Sequence, residues 1–284
     1  MKGPRERFAS RERRFFGAFL GVLTVSLAME ASAATLSDKN SVITLDLGSS
    51  AGMTSWSVDG NNQVNQQWFW FRNGTSGPQF DISTINPTPT VSQLNARTLT
   101  ALYANAQYGV QLTYTLSGGT LGTGNSKLTE QINFYNYSSS SSLDMHLFMY
   151  SDFSLGGPTY ANAQNVSIGT GGGDTTVVQK VNGTGLSNNV AMPFAPANRV
   201  EAEAYPQTYN ALTTTSGYSL DNTANNGPGH ITWALEWDSV LAPNTSLGTI
   251  SVTDTLQVPE PSAMALVVLG LGLSVWRGRT RKTA

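Results

Sequence analysis

Two histidines, His146 and His230, are the only imidazoles in this 284-residue chain. They fall on different predicted strands. A Ser-His-Asp triad needs one of them within hydrogen-bond reach of a serine and a carboxylate. Tyr150-Ser151-Asp152 lacks the G-x-S-x-G pattern of a nucleophile elbow. Glu130 and Glu236 each sit between apolar positions, as the paired carboxylates of a glycosidase would. Strands also carry such acids on their wet faces. Zinc has too few ligands, and the absence of cysteine removes thiolate nucleophiles, Cys-zinc sites and covalent haem attachment. Asp59-Gly-Asn-Asn62 and Asp221-Asn222 with Asn225-Asn226-Gly227 are oxygen-rich turns that could hold calcium, but aspartate and asparagine favour turns without any metal. Gly118–Gly124 is spaced GGxxGxG, and a strand follows where a dinucleotide loop requires a helix. The residues therefore predict no catalytic set, no metal, no cofactor and a domain that is not an enzyme.

Aromatic side chains offer a different chemistry. Trp56, Trp68, Trp70, Trp233 and Trp237 lie in the middle of the chain. Sugar rings stack on exposed aromatic faces, which makes Trp68 and Trp70 the candidates for carbohydrate contact. Large aromatics mainly pack cores. Trp233 and Trp237 share a predicted face with Ile231 and Leu235, so that pair is expected inside.

Alternating strands must position these groups. Gln67–Phe71 is apolar on both faces and reads as an interior strand covered on both sides. Tyr108, Val110, Leu112, Tyr114 and Leu116 alternate with small or polar residues, and Leu128, Ile132 and Phe134 continue the pattern. Residues 107–137 thus read as a β-hairpin around a glycine-rich loop. Leu143, Met145, Leu147 and Met149 alternate next, and Val166–Val181 reads as two short strands. Residues 190–206, with three prolines, read as irregular apart from a short edge strand around Ala202 and Ala204. Ile231–Asp238 and Ile250–Leu256 complete the set. Short strands, glycine turns and no crossover helices predict an all-β fold, an antiparallel β-sandwich.

The two ends are of another kind. Six basic residues within the first fourteen precede a charge-free stretch, Phe15–Ala28, and then Ala31-Ser32-Ala33. This is the layout of a secretory signal peptide over residues 1–33, with signal peptidase reading Ala31 and Ala33 and Ala34 as the alternative last residue. At the other end, residues 258–284 hold Val258-Pro259-Glu260-Pro261, an uncharged run to Trp276, and the basic cluster Arg277, Arg279, Arg281 and Lys282. As a helix, residues 262–276 would reach roughly 22 Å, short of the ~30 Å hydrocarbon core but within range of snorkelling flanks. A single transmembrane helix with its basic end in the cytoplasm follows. Residues 34–257 are then the exported domain.

Charge agrees with that division. The whole chain carries −2, yet residues 34–257 hold six basic residues against fourteen acidic ones, a net of −8. A domain this acidic is a poor partner for nucleic acid or an anionic membrane surface.

The run VPEPSAMALVVLGLGLSVWRGRTRK resembles the PEP-CTERM sorting domain of Gram-negative bacteria, in its Pro259-Glu260-Pro261 motif, its span and its arginine-rich end. The resemblance implies an exosortase-type processing enzyme as partner and, after transient inner-membrane anchoring, delivery to the cell surface or matrix in association with exopolysaccharide. Gln67-Trp-Phe-Trp-Phe-Arg72, Tyr114–Gly119, Tyr150-Ser-Asp-Phe153 and Gly227–Trp233 are similar to a β-rich ectodomain recurrent among such proteins, for which no activity is assigned. The leading expectation is a non-enzymatic exported protein. A carbohydrate-binding module and a glycan-processing enzyme are the alternatives.

Overall fold

A computed structural model describes residues 33–193 and 195–259. In chain order the first strands are β1 (Ala33–Asp38), β2 (Ser41–Asp46), β3 (Gly52–Val58), β4 (Asn61–Asn62), β5 (Val64–Asn73) and β6 (Phe80–Asp81). A meander follows through β7 (Thr90–Asn95), β8 (Thr98–Ala104), β9 (Tyr108–Gly118) and β10 (Asn125–Asn136), after which β11 (Leu143–Phe153) crosses back to pair with β5. Next come β12 (Gln164–Gly171), β13 (Asp174–Val181), β14 (Ser187–Met192), β15 (Arg199–Ala204) and the helix α1 (Gln207–Thr214). The series closes with β16 (Asn225–Gly229), β17 (Ile231–Leu241), β18 (Thr245–Ser246) and β19 (Ile250–Gln257).

These strands form two sheets packed face to face, the expected β-sandwich. The first runs β1-β2-β3-β5-β11-β17-β15, and the second β16-β12-β13-β14-β19-β10-β9-β8-β7. All pairings are antiparallel except a short parallel contact between β3 and β5 at Gly52 and Met53 against Gln67. The expected hairpin is β9–β10, paired from Ser126 opposite Gly118 to Asn136 opposite Tyr108.

The core lies between the sheets. Period-two alternation along β17 directs Ile231, Trp233, Leu235 and Trp237 to one face, and all four are buried. Trp233 stacks on Phe153 with ring planes 5° apart and donates from Nε1 to Gln179 Oε1 on β13 of the opposite sheet. Phe71 meets Tyr108 across the same gap.

The opposite face of the first sheet is also covered at its centre. Helix α1 and residues 215–222 lie over β5, β11 and β17. Tyr209 packs edge-on against Trp70 and tilted against Tyr150. Arg72 on β5 donates to the carbonyl of Tyr218, and the Leu220 amide donates to Glu236 on β17. The sequence reading missed α1, because eight residues give too few turns for a 3.6-residue period to stand out. This cover decides the environment of every polar group beneath it.

Among the described residues no helix is long and apolar enough to cross a membrane. The expected transmembrane span, Glu260, Pro261 and the basic cluster Arg277, Arg279, Arg281 and Lys282 lie outside the described residues, as does Ala31. Ala33 and Ala34 open β1, opposite Asp46 and Leu45. Val258 is buried and donates its N–H to the Gly124 carbonyl, with exposed Pro259 next to it.

Candidate functional site: an imidazole between two carboxylates on the covered sheet face

His146 on β11 and Asp238 on β17 are direct cross-strand partners, and Glu236 is opposite Phe148, one diagonal step away on the same face. His146 Nδ1 stands 2.5 Å from Asp238 Oδ1 and 3.4 Å from Glu236 Oε1. The three ligand atoms all fall within 4.8 Å of one another. Glu236 is fully buried and His146 is 8 % exposed, while the Asp238 side chain retains 31 %. Asp238 is thus the member of the cluster nearest solvent. A groove of about 280 Å³ lined by Trp237, Asp238, Asn198 and residues 247–250 opens beside it at the end of the sandwich, and neither His146 nor Glu236 lines it.

Glu236 is held from behind. Its Oε2 accepts the Leu220 N–H at 2.8 Å, but its Oε1 has no hydrogen-bond partner. Burial raises the Glu236 carboxyl above its ordinary value, the Leu220 amide opposes the rise, and neighbouring Asp238 adds to it. Arg72, opposite His146 on the other side, does not neutralise these acids. Its guanidinium donates to the carbonyls of Gly74 and Tyr218 and to Ser219 Oγ, over the Phe148 ring. Sequence alone does not bring these three residues together. The three groups come from strands about ninety residues apart, so no local spacing announces them.

The second histidine forms a separate pair. His230 Nε2 lies 2.7 Å from Asp152 Oδ1, and Tyr205 stacks on the imidazole at 4.6 Å. Asn65 donates to the same Asp152 oxygen. Ser151 neighbours Asp152 in β11, but alternation sends it to the other face of the sheet, where it is buried. The two histidines therefore do not share a site.

Glu130 does not face Glu236. It points into the sandwich from β10, where Gln67 Nε2 donates to its Oε2 at 3.3 Å. Its carboxylate neighbour is Asp254 on β19, which accepts from Asn188 Nδ2 at 2.8 Å. Burial raises both carboxyls, Glu130 well above its ordinary range and Asp254 to about 7.

The remaining sequence candidates have structural roles. Trp68 is 0 % and Trp70 2 % exposed, so neither presents a face to a sugar, a correction to the aromatic reading. Trp68 meets Tyr103 edge-on, and Trp70 lies under α1. Asp59 accepts the amides of Gly122 and Gly124, both at 2.8 Å, and so pins the loop between β9 and β10. Asp221 accepts from Thr223 N–H within its own turn.

No curated protein matches the chain in sequence. Among solved structures, the GalM/aldose epimerase homologue from C. elegans aligns at 8 % identity and a TM-score of 0.47, over 80 % of this chain and 99 % of that one. A protein named as a candidate kojibiose phosphorylase, from the human microbiome, aligns at 11 % identity and a TM-score of 0.37, over 84 % of this chain and 32 % of that one. Both names are those of enzymes. The expectation that the domain is not an enzyme is corrected on that finding, and the likeness assigns no reaction or residue to this chain. In sequence, residues 257–282 match the PEP-CTERM protein-sorting motif. Through that motif the chain is a PEP-CTERM protein, exported and sorted to the envelope, with exosortase processing implied.

Proposed function

We propose that this chain is an exported protein, processed by an exosortase at the envelope, whose β-sandwich works at the surface exopolysaccharide. The observation that carries the reading is the sorting motif at residues 257–282. The layout of the two ends supports it. A signal peptide over residues 1–33 and a short apolar span before Arg277 would hold the precursor as a hairpin, with the acidic middle outside. Release or attachment of the sandwich then follows cleavage near Glu260.

A glycan-processing activity is the second reading. One arrangement favours it: an imidazole flanked by two carboxylates, one of them fully buried and raised in pKa. Groups tuned in this way are suited to general acid–base work.

Fractionation of the native host tests the main reading. The mature protein is expected in the matrix fraction, co-sedimenting with purified exopolysaccharide. Retention of the full-length precursor in the inner membrane of wild-type cells would overturn the sorting step. Mature protein that is released but ignores the polysaccharide would overturn the association.

A further inference from the structure

We propose that His146, Glu236 and Asp238 form a binding site for a first-row divalent metal ion, zinc or manganese in class, with the partly exposed Asp238 side chain as its solvent-facing ligand. This inference does not depend on the polysaccharide reading.

The argument starts from hydrogen-bond supply. His146 Nδ1 faces two carboxylate oxygens, Asp238 Oδ1 at 2.5 Å and Glu236 Oε1 at 3.4 Å. One N–H serves one acceptor well. It is engaged with Asp238, and the fully buried Glu236 Oε1 has no hydrogen-bond partner, the donors to this carboxylate being the Leu220 amide and the Ser219 side chain. A buried carboxylate oxygen without a partner is unfavourable, because it has lost its water and gained nothing in return. A divalent cation at the point shared by the three atoms would satisfy all of them and neutralise two carboxylate charges.

Geometry and chemistry agree with this occupant. Imidazole and carboxylate ligands suit zinc and manganese, whereas calcium takes oxygen ligands almost alone. With bonds of about 2.0–2.2 Å, tetrahedral neighbours stand about 3.3 Å apart, close to the 3.4 Å between His146 and Glu236. The 2.5 Å contact must open, and Asp238, the ligand with an exposed side chain, is the one free to turn. One outer-shell partner is in place, the Leu220 amide on the second oxygen of Glu236. His146 Nε2 has no hydrogen bond as it stands, and Asp144 Oδ1, 3.9 Å away, is the nearest carboxylate that a small turn would bring to it. Three protein ligands leave a tetrahedral ion one position for water.

The test uses the untagged full chain in detergent, stripped with a chelator and dialysed against zinc, manganese or calcium alone, with bound metal counted by elemental analysis. About one equivalent of zinc or manganese per chain is expected, accompanied by a rise in melting temperature. Asp238→Asn and Glu236→Gln should each weaken uptake at least about tenfold. Asp238→Asn sits at a partly exposed position and should keep its metal-free melting temperature, which separates lost ligation from lost folding. The proposal is overturned if wild type takes up neither zinc nor manganese, if only calcium binds, or if both variants bind as wild type does.

Discussion

Trp233 of β17 donates its indole N–H to Gln179 Oε1 of β13, 2.9 Å away, joining the two sheets through the middle of the sandwich. The indole also lies flat against Phe153, with ring centroids 6.3 Å apart. Truncating it removes a large core side chain and leaves a buried amide oxygen without its donor. Trp233→Ala should cost roughly 3–5 kcal/mol, read as a lower denaturation midpoint. An unchanged midpoint would mean that this face is not the core.

Glu130 and Asp254 predict a stability that falls as pH rises. In the unfolded chain both ionise near pH 4. In the fold, burial raises Asp254 to about 7 and Glu130 well above its usual range. The folded chain therefore keeps protons that the unfolded chain has released. The pair is harmless below about pH 4 and costs stability progressively from there through pH 7 and above, by a few kcal/mol at about 1.4 kcal/mol per unit. Asp254→Asn should flatten the decline in melting temperature between pH 5 and pH 8. Identical slopes for wild type and variant would refute the assignment.

Gly118 ends β9 against the β1–β2 turn. A Cβ there would lie 1.9 Å from the Asp38 carbonyl oxygen, which belongs to backbone and cannot step aside cheaply. The Gly118 amide also donates to the Asp38 side chain at 2.9 Å. Gly118→Ala should destabilise by about 1–3 kcal/mol through overpacking. Thermal melting decides it, and a melting temperature equal to wild type would show that the turn moves freely.

Glu260 is the charged member of the sorting motif. Glu260→Ala in the native host should leave export intact and block maturation at the carboxyl end. A denaturing gel reads this directly. Equal mature mass for wild type and variant would count against recognition of the motif.

Topology gives a fifth test. A reporter inserted after Asn244 should be active on the exported side, and one fused after Ala284 should be active in the cytoplasm when processing is blocked. Reversal of the two signals would sink the hairpin arrangement.

The sequence by itself determined what depends on contiguous residues. The sorting motif at residues 257–282 is one unbroken run, legible because a processing enzyme must read it locally. Strand identity was legible for the same reason. Alternation along Ile231–Trp237 predicts which residues share a face, and they are buried together. What covers the other face depends on tertiary structure. Nothing in the local pattern of Glu236 or Asp238 separates a solvated acid from a buried one, and only α1 and residues 215–222, folded back over β5, β11 and β17, decide it. The same cover buries Trp70, and the neighbouring sheet edge buries Trp68, against the reading of both as a sugar platform. The His146–Glu236–Asp238 cluster is likewise a product of strand pairing, because a β-sheet register brings together side chains that the chain separates by about ninety residues.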